Sequence, residues 1–541
     1  MQNLPGIRRV AGVPLALVLA ACSSGGAEDQ SRRTEISARS MNFTAAVVDT
    51  AAPGAQSFTA TFGADVANVS VIHTGAAIAS VTSSVTGRTA QITIEPNTPA
   101  RVGAGVFTGS VAITGYFCAD PACSRVEAGN SQTVTVSYQV SPVVRYVAPY
   151  VGVSGTSAIA IIRGVGFSGF KIPGVNFGAT AGLEITTVSD TEIRATYPAM
   201  SAGSYAVELD VPDHQGAVPS TATLYVVDAP AYAAQTLSYP AAPAAVRSLI
   251  YDAERGALLL ATDANGGSIL RYEYAGGAWS APLSVGLGQL QDVALSTDGT
   301  QLLAAFSTSI APVDPVALLV GAAVDAPDLA ADNFLKNLRV ANDNTAIVTT
   351  GINERTATAE YAYAVPTATF TKSAVVLDNA TLGMSTNGAV VALIQGDPSL
   401  ENQSLVYTYS PTSGNIASTG ITLNQNSVAP VLDRNATRIA LNGLNVYGSD
   451  LSLFGTLPET TLAIALKPDG TRAYTYDSAA AAILTFDTSA DKDGEAFDQV
   501  GTPTPVAGDP GSAPRMIVSP DGGTLFIAGS NQIVIQPTPA S

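Results

Sequence analysis

Short stretches in which apolar and polar residues alternate fill the chain between residues 41 and 141. Six or seven of them, including QSFTATF, TAQITIE and QTVTVSYQV, are separated by turns rich in Gly, Pro, Asn and Ser. A period of two is typical of strands that bury one face. Residues 41–141 are therefore predicted to form a β-sandwich.

A longer pattern recurs in residues 230–541: an apolar strand, a turn rich in Asp, Asn and Gly, and a second apolar strand. Six copies align on turn residues that follow one another at 45, 44, 48, 34 and 52 residues: Asp298, Asp343, Asn387, Asn435, Asp469 and Asp521. A degenerate copy, VRSLIYDAERGALLLA, precedes them. Seven units of four strands predict a seven-bladed β-propeller.

The last copy leaves room for only three strands before Ser541. We therefore expect AAQTLSYP, residues 233–240, to supply the fourth strand and close the ring. Asp and Asn in the repeated turns are assigned a structural role, because their side chains bond their own backbone and tolerate unusual dihedral angles.

Three segments carry resemblances to known families. Residues 143–228 contain Gly164-Val165-Gly166-Phe167, Val175-Asn176-Phe177-Gly178 and VSDTEIRATYPAMSAGSYAVEL, and they resemble the IPT/TIG domain. That resemblance implies an immunoglobulin-like fold with Phe167 and Phe177 in its core. Residues 41–141 resemble immunoglobulin-like modules of bacterial surface proteins. SPDGGTLFIA and KPDGTRAYTY resemble turns of YVTN-type and lactonase-like propellers.

The predicted fold class is thus all-β, with two immunoglobulin-like β-sandwiches followed by a seven-bladed β-propeller. The predicted boundaries are 41–141, 143–228 and 230–541.

The N-terminus has the layout of an export signal. Arg8 and Arg9 precede an apolar run, residues 10–21, which is too short to span a bilayer. The run ends in Leu19-Ala20-Ala21-Cys22, which resembles the lipobox of bacterial lipoproteins and implies lipidation of Cys22. We expect a signal peptide at 1–21 and a flexible tether at 22–40, whereas the alternative is a buried N-terminal helix. Ser23 after the cysteine implies the outer membrane or cell surface.

The two other cysteines, Cys118 and Cys123, flank a short segment that contains a proline. In an oxidising compartment they are expected to form a disulfide. A metal site would need two more ligands, and His73 is the only histidine in that region.

The charge balance excludes one class of partner. The chain has 25 Lys and Arg against 43 Asp and Glu, a net charge of −18. Such a chain repels phosphate backbones, so nucleic acid is not an expected partner. No basic cluster favours anionic lipid either, so the predicted membrane contact is the lipid anchor.

The predicted propeller lacks the residues on which several classes of enzyme depend. Its sequence contains no histidine, since His73 and His214 both precede it, so a Ser-His-Asp triad is excluded there. The single tryptophan, Trp279, argues against a quinone cofactor. We predict no cofactor, no metal and no catalytic residue. The loop with Asp491, Asp493 and Glu495 fits a solvated acidic loop, with Ca²⁺ binding as the alternative.

One candidate site follows from the repeat. Six residues before each turn residue, the copies carry Asp292, Asn337, Thr381, Ala429, Ala463 and Arg515, and Arg247 takes this place in the degenerate copy. These positions are predicted to face the central channel near one mouth. Arg247 and Arg515 would lie in adjacent blades, where two guanidinium groups can clamp a carboxylate. The alternative is a salt bridge to a neighbouring residue.

The candidate ligand-binding residues are therefore Arg247, Asp292, Asn337 and Arg515. The predicted function is a lipid-anchored binding or scaffolding module of the cell envelope, with an envelope protein or glycan as partner. One alternative is a lactonase-like propeller enzyme acting on a small anionic or sugar-derived substrate. Another is a self-associating structural component of the envelope.

Overall fold

The computed structural model describes residues 32–352, 359–377, 379–395, 403–424, 428–459, 461 and 463–539. The predicted signal peptide at 1–21 and the predicted lipidation site, Cys22, lie outside the described residues. The described part is built of strands, with one short α-helix at Pro99–Val102 and 3-10 turns at Phe167–Gly169, Ala264–Gly266 and Val365–Thr367. Among the described residues, no helix is long and apolar enough to cross a membrane.

Contacts separate the described residues into two compact units, which fall within the following ranges. The first comprises Met1–Phe43, Ala52–Asn97 and Phe107–Tyr138. The second comprises Thr44–Ala51, Thr98–Val106 and Gln139–Ser541, so the segments predicted as the IPT/TIG domain and the propeller belong to one unit.

The first segment is a β-sandwich, as its alternating pattern predicts. One sheet contains Thr34–Ile36, Gln56–Phe62, Thr89–Pro96 and Ile78–Thr86, in that order. The other contains Ser40–Ala46, Gln132–Ser141, Gly105–Cys118 and Asn68–Thr74, with Val126–Ala128 paired to Gly105–Cys118. Inward positions of the alternation, such as Phe58, Ile92 and Ile94, are buried.

Two local predictions about this segment have clear outcomes. Cys118 and Cys123 form the predicted disulfide. The predicted flexible tether, 22–40, is wrong at its end, because Thr34–Ile36 pairs antiparallel with residues 60–62. Thr34 is buried in that pairing, so the sandwich begins before residue 41.

The second segment is an immunoglobulin-like sandwich. One sheet contains Val143–Ala148, Ala158–Val165, Glu192–Tyr197 and Leu183–Ser189. The other contains Val151–Val153, Thr223–Val227, Gly203–Asp210, Gly174–Phe177 and Thr180–Ala181. Phe167 and Phe177 are fully buried in the core, as predicted. Gly166 has a φ of 87°, a left-handed conformation that favours glycine at this turn.

Seven antiparallel sheets follow in the described residues between 235 and 537; we call them propeller sheets 1 to 7. Their strands, in chain order within each sheet, are Val246–Asp252, Ala257–Thr262, Ser268–Ala275, Ala278–Trp279 and Leu283–Gly286 in sheet 1; Leu290–Leu295, Leu302–Phe306, Ser309–Val313 and Val324–Asp325 in sheet 2; Asn333–Val340, Thr345–Ile352, Ala359–Ala364 and Thr369–Val376 in sheet 3; Thr381–Met384, Val391–Ile394, Gln403–Ser410 and Asn415–Asn424 in sheet 4; Val431–Leu432, Arg438–Leu441, Asn445–Gly448 and Leu453–Thr456 in sheet 5; Ile464–Leu466, Arg472–Asp477, Ala482–Asp487 and Thr504–Pro505 in sheet 6; and Gln235–Ser238, Arg515–Val518, Thr524–Ala528 and Gln532–Pro537 in sheet 7.

The sheets are arranged as a β-propeller. In sheets 1 to 6 the first strand is innermost, and in sheet 7 Arg515–Val518 takes this place. Each innermost strand contacts the innermost strand of the next sheet, and that of sheet 7 contacts that of sheet 1. The predicted closing strand is confirmed, because Gln235–Ser238 pairs antiparallel with the last strand of sheet 7.

The repeated turns connect the innermost strand of each sheet to its neighbour, and in sheets 2 to 6 a side chain of the turn bonds the backbone of that turn, as predicted. In four of them the side-chain oxygen of the turn residue accepts the N–H two residues later, at distances from 3.0 to 3.1 Å: Asp298, Asp343, Asn387 and Asp469. In sheet 5 this role moves to Asp433, which accepts the N–H groups of Asn435 and Thr437.

Candidate functional site

A cavity of about 890 Å³ lies at the end of the propeller where the innermost strands begin. Its wall is formed by the first residues of the innermost strands of sheets 1, 2, 3, 4 and 7, together with neighbouring loop residues. This is the channel mouth at which the candidate ligand-binding residues are predicted to lie.

The structure brings three of the four candidate residues together. Arg247, Asn337 and Arg515 all line the cavity, whereas Asp292 does not. Asp292 is fully buried behind the wall, where its Oδ2 accepts hydrogen bonds from Arg339 Nη1 at 2.8 Å and from the N–H of Leu338 at 2.9 Å. Its carboxylate is therefore occupied in joining sheets 2 and 3, and we correct its assignment from ligand contact to structural support.

A one-residue irregularity explains which side chains reach the cavity. The antiparallel registers of sheets 1, 2 and 3 each skip one residue near the start of the innermost strand, at Arg247, Gln291 and Lys336. Such a bulge turns the extra side chain away from its paired neighbours. Arg247 thus corresponds to Gln291 and Lys336, and Ser248 is the residue that corresponds to Asp292.

The sequence alignment missed Gln291 and Lys336 for this reason. Gln291 immediately precedes the aligned Asp292 and Lys336 immediately precedes the aligned Asn337, and both line the cavity. Reading the repeat one position earlier from Asp292 and Asn337 would have found them, but the alternating pattern alone gives no sign of the bulge.

The two arginines lie on adjacent sheets and keep much of their hydrogen-bonding capacity. Arg515 Nε donates to the carbonyl of Val246 at 3.1 Å, and Arg247 Nη1 donates to Gln291 Oε1 at 3.2 Å. Burial lowers the pKa of Arg515; the carboxylate of Asp292 opposes this, and the nearby charges of Arg339 and Arg247 add to it. The guanidinium stays protonated, because arginine does not lose its proton in proteins.

Lys336 adds a third cation to the wall. Its Nζ donates to the carbonyl of Asn379 at 2.5 Å. Burial lowers the pKa of Lys336, and the negative charge of Glu360 opposes that shift.

Several polar atoms on the wall have no hydrogen-bond partner among the described residues. They are Arg247 Nε, Asn333 Oδ1 and Nδ2, and Thr381 Oγ1. Asn333 is only 5% exposed and lines the cavity. An unmade hydrogen bond of a buried group costs about 1–3 kcal/mol, so this wall is suited to a ligand that supplies both donors and acceptors.

The opposite end of the innermost strands contacts the immunoglobulin-like segment at 143–227. Arg163 and Glu192 from that segment form a buried ion pair, with 3.0 Å between Nη1 and Oε2. Arg163 Nε donates to Asn342 Oδ1 at 2.7 Å, and Thr412 Oγ1 donates to Glu192 Oε2 at 2.5 Å. Tyr150 Oη donates to Asp252, the last residue of an innermost strand, at 3.3 Å.

These contacts fix the direction of the cavity. They lie beside the ends of the innermost strands and the turns that follow, whereas the cavity lies at the beginnings. The cavity therefore faces away from the immunoglobulin-like segment at 143–227.

Catalytic and metal-binding groups are sparse in the described part. His73 lies on an edge strand of the first sandwich, and His214 Nε2 contacts Ser141 Oγ at 2.7 Å, outside the propeller. No three His, Cys, Asp or Glu residues of the described part are grouped to hold a metal ion. In the acidic loop, Asp491 Oδ1 accepts the N–H of Asp493 at 2.8 Å.

Comparison with known proteins supports the assignment of the second segment. Residues 142–226 match the IPT/TIG domain family, so the predicted IPT/TIG domain is confirmed. A search of curated proteins finds no match. An IPT/TIG domain joined to a β-propeller suggests a protein-interaction module.

Solved structures show distant similarity in fold. Kuenenia stuttgartiensis hydrazine synthase is 14% identical with a TM-score of 0.42, and the match covers 56% of this chain and 97% of that one. The Cps50 (Swd1) β-propeller domain of Myceliophteria thermophila is 10% identical with a TM-score of 0.41, covering 56% and 100%. A structural genomics protein of unknown function from Bacteroides thetaiotaomicron is 12% identical with a TM-score of 0.35, covering 73% and 98%. Similarity at this level carries no argument about function.

Proposed function

We propose that this chain is a lipid-anchored protein of the bacterial cell envelope that binds a partner in the cavity of a seven-bladed propeller head. Cys22 carries the anchor, at the outer membrane or cell surface. The first sandwich and the IPT/TIG domain lie between the anchor and the propeller in the sequence, and the cavity is the binding site.

The observation that carries the binding role is the cavity wall. It combines a volume of about 890 Å³ with buried polar atoms of Arg247, Asn333 and Thr381 that have no partner in the described protein. Ligand pockets occupy about 300–1,000 Å³ and use a few fixed polar groups to orient what they bind. The direction of the cavity, away from the IPT/TIG domain, supports access by a partner.

Binding is favoured over catalysis by the chemistry of the wall. Its fifteen described residues include neither histidine nor cysteine, and the one carboxylate among them, Asp263, accepts the N–H of Ala245 at 2.7 Å. General acid–base catalysis needs a group that can exchange a proton near neutral pH. The two arginines cannot do so, because they remain protonated. Burial also lowers the pKa of Lys336, but its Nζ already donates to the carbonyl of Asn379, which holds it as a hydrogen-bond donor.

The binding role can be tested by blocking the cavity. Ala331 lines the cavity and is exposed, so Ala331→Trp places an indole in the cavity without disturbing the core. Ala417→Trp is the matched control, because Ala417 is exposed on an outer strand of sheet 4. The full chain and both variants would be immobilised and exposed to solubilised envelope. We expect Ala331→Trp to lose a partner that the natural chain and Ala417→Trp retain; equal retention by all three would contradict the proposal.

The anchor has a separate test. The full chain would be produced with its N-terminal segment in a bacterium that lipidates exported proteins, and the membranes would be washed with high salt. We expect Cys22→Ala to abolish lipid attachment, measured as the mass of the N-terminal peptide, while Ser23→Ala keeps it. An unmodified Cys22 in the natural chain would contradict the anchor and leave the cavity experiment unaffected.

A further inference from the structure

The cavity differs from most ligand pockets in how polar its wall is. Eleven of its fifteen lining residues have polar or charged side chains, and the others are Ala245, Val246, Ala331 and Phe334. Ligand pockets are usually lined mainly by apolar side chains. A ligand that matches this wall must therefore offer hydrogen-bonding groups over most of its surface.

The charges on the wall favour an anion. Among the described residues, three cations, Arg247, Lys336 and Arg515, line the cavity with one carboxylate, Asp263. None of the three cations forms a salt bridge within the described part of the chain. This local excess of positive charge is found in a chain whose net charge is −18, so it is not a consequence of overall composition.

Two buried carboxylates near the wall are already engaged. Asp292 pairs with Arg339 at 2.8 Å, and Glu360 Oε2 accepts the N–H of Thr350 at 2.9 Å. Asp292 forms its ion pair with Arg339, a cation that does not line the cavity. The charges of Asp292 and Glu360 also act on Arg515 and Lys336, but neither carboxylate forms a salt bridge with a lining cation among the described residues.

The uncharged groups point to the kind of anion. Four amide side chains line the cavity: Gln289, Gln291, Asn333 and Asn337. An amide side chain carries one acceptor and two donors, which matches the N–H and C=O groups of a peptide backbone. Gln291 Oε1 already accepts from Arg247 at 3.2 Å, and Asn337 Nδ2 donates to Asp292 Oδ2 at 3.3 Å. Both amide atoms of Asn333 lack partners in the described structure although the residue is 5% exposed.

We propose that the cavity binds an acidic peptide segment of a partner protein, with its carboxylates between Arg247 and Arg515 and its backbone against Asn333 and the other amides. This inference rests on the proposed binding function and adds the chemistry of the partner. Paired guanidinium groups are well suited to carboxylates, which they bind through two parallel hydrogen bonds.

The test uses two pools of labelled, end-capped hexapeptides that differ only in two fixed central residues, aspartates in one and asparagines in the other. Binding to the full chain would be measured by fluorescence anisotropy. We expect the aspartate pool to bind about tenfold or more tightly than the asparagine pool, because a hydrogen bond to a charged group is stronger than one to an amide. Its affinity should fall with rising salt concentration.

Variants connect that preference to the cavity. Arg247→Gln is expected to lower the affinity for the aspartate pool about tenfold and leave the asparagine pool unchanged. Lys372→Gln removes the same charge from an exposed position on an outer strand of sheet 3 and should change neither affinity. Unchanged melting temperatures would show that both variants are folded.

The remaining outcomes separate this inference from the proposed function. Equal binding of the two pools, or no binding of either, would overturn the acidic peptide. Glucuronate bound more tightly than the aspartate pool, and lost in Arg247→Gln, would overturn it in favour of an acidic glycan. In each case, the proposed binding function would still hold if Ala331→Trp fails to capture a partner that the natural chain captures from solubilised envelope. If that variant retains every partner, both the binding function and the acidic peptide are contradicted.

Discussion

The side chain of Asp292 shows how the environment of one residue decides its role. It begins as a candidate for ligand contact, yet its carboxylate is fully buried and bonds Arg339 and the backbone of Leu338. A buried charge is tolerated when it is paired and hydrogen-bonded, and removing one partner leaves the other charge uncompensated.

We therefore expect Asp292→Ala to lower the free energy of unfolding by about 3–5 kcal/mol, the usual cost of breaking a buried ion pair from one side. Urea denaturation of the full chain would measure the change. Asp325→Ala is the control, because Asp325 is exposed on an outer strand of sheet 2. A loss below about 1 kcal/mol for Asp292→Ala, as for an exposed pair, would show that the ion pair with Arg339 is not structural.

The candidate site could be predicted from the sequence only in part. The repeat located the channel mouth, and Arg247, Asn337 and Arg515 do line it. It missed Lys336 and Gln291 because a bulge adds one residue to a strand and reverses the faces beyond it. Nothing in the local sequence distinguishes a bulged strand from a regular one.

At the scale of secondary-structure elements, ring closure depends on the strand Gln235–Ser238. This strand precedes sheet 1 in the chain but completes sheet 7, by pairing with Gln532–Pro537. Leu237 packs in a cluster that includes residues of both sheets, among them Leu258 and Ile533. The strand therefore joins the two ends of the propeller, as a cross-link would.

We predict that Leu237→Ala destabilises the propeller by about 2–5 kcal/mol, since it removes a buried leucine at the closure. The single tryptophan, Trp279, reports on this region, because its ring lies 5.1 Å from that of Tyr232 and 6.3 Å from that of Phe526. Tryptophan fluorescence during urea unfolding would measure the effect. Thr236→Ala, at an exposed position of the same strand, should have little effect; equal effects of both changes would argue against a role for the buried contact.

Most elements of the fold follow from the sequence, and the exceptions have a physical cause. The period-two alternation and the Asp or Asn turns are local signals, so the paired strands on both sides of each turn were predictable. Thr34–Ile36 is only three residues long, too short for a period to be recognised, and its pairing with residues 60–62 depends on a distant partner. The tether was consequently predicted to be too long.

At the scale of the whole molecule, the second unit couples the IPT/TIG domain to the propeller. Two propeller side chains bond the buried ion pair between Arg163 and Glu192. Asn342 accepts a hydrogen bond from Arg163, and Thr412 donates one to Glu192. Fully satisfied buried polar networks favour one arrangement over others, because every alternative leaves a charge unpaired. These contacts were beyond sequence analysis, since they join residues 179 or more positions apart.

The pKa of Glu192 gives this coupling a pH dependence. Burial raises the pKa of its carboxyl group, but the hydrogen bond from Thr412 and the charges of Arg163 and Arg194 outweigh burial, and the pKa is lowered from its ordinary value of 4.5. A carboxyl whose pKa is lower in the folded state stabilises that state above the ordinary value. The stabilisation is therefore present at neutral pH and is lost as the pH falls below 4.5 toward the folded-state pKa.

Replacing Glu192 tests whether this one network holds the two parts together. At pH 7 we expect the IPT/TIG domain and the propeller of the natural chain to unfold in one calorimetric transition. Glu192→Gln leaves Arg163 buried without its counter-charge, which weakens the junction by about 3–5 kcal/mol, so the transition should divide into two. Glu208→Gln, at an exposed position of the same domain, should leave it single.

Acid should reproduce the effect of the substitution. Glu192 becomes protonated only as the pH falls below 4.5 to its lowered folded-state pKa. The transition of the natural chain should divide there, while that of Glu192→Gln, already divided, should show no further separation. A single transition for Glu192→Gln at pH 7 would mean that contacts such as Tyr150 with Asp252 suffice to hold the domain against the propeller. If acid changes the transition of Glu192→Gln as much as that of the natural chain, the pH dependence belongs to other carboxylates. If Glu192→Gln divides the transition at pH 7, and acid divides only the transition of the natural chain, then the ion pair of Glu192 with Arg163 holds the propeller on the IPT/TIG domain. That ion pair then also fixes the direction of the cavity.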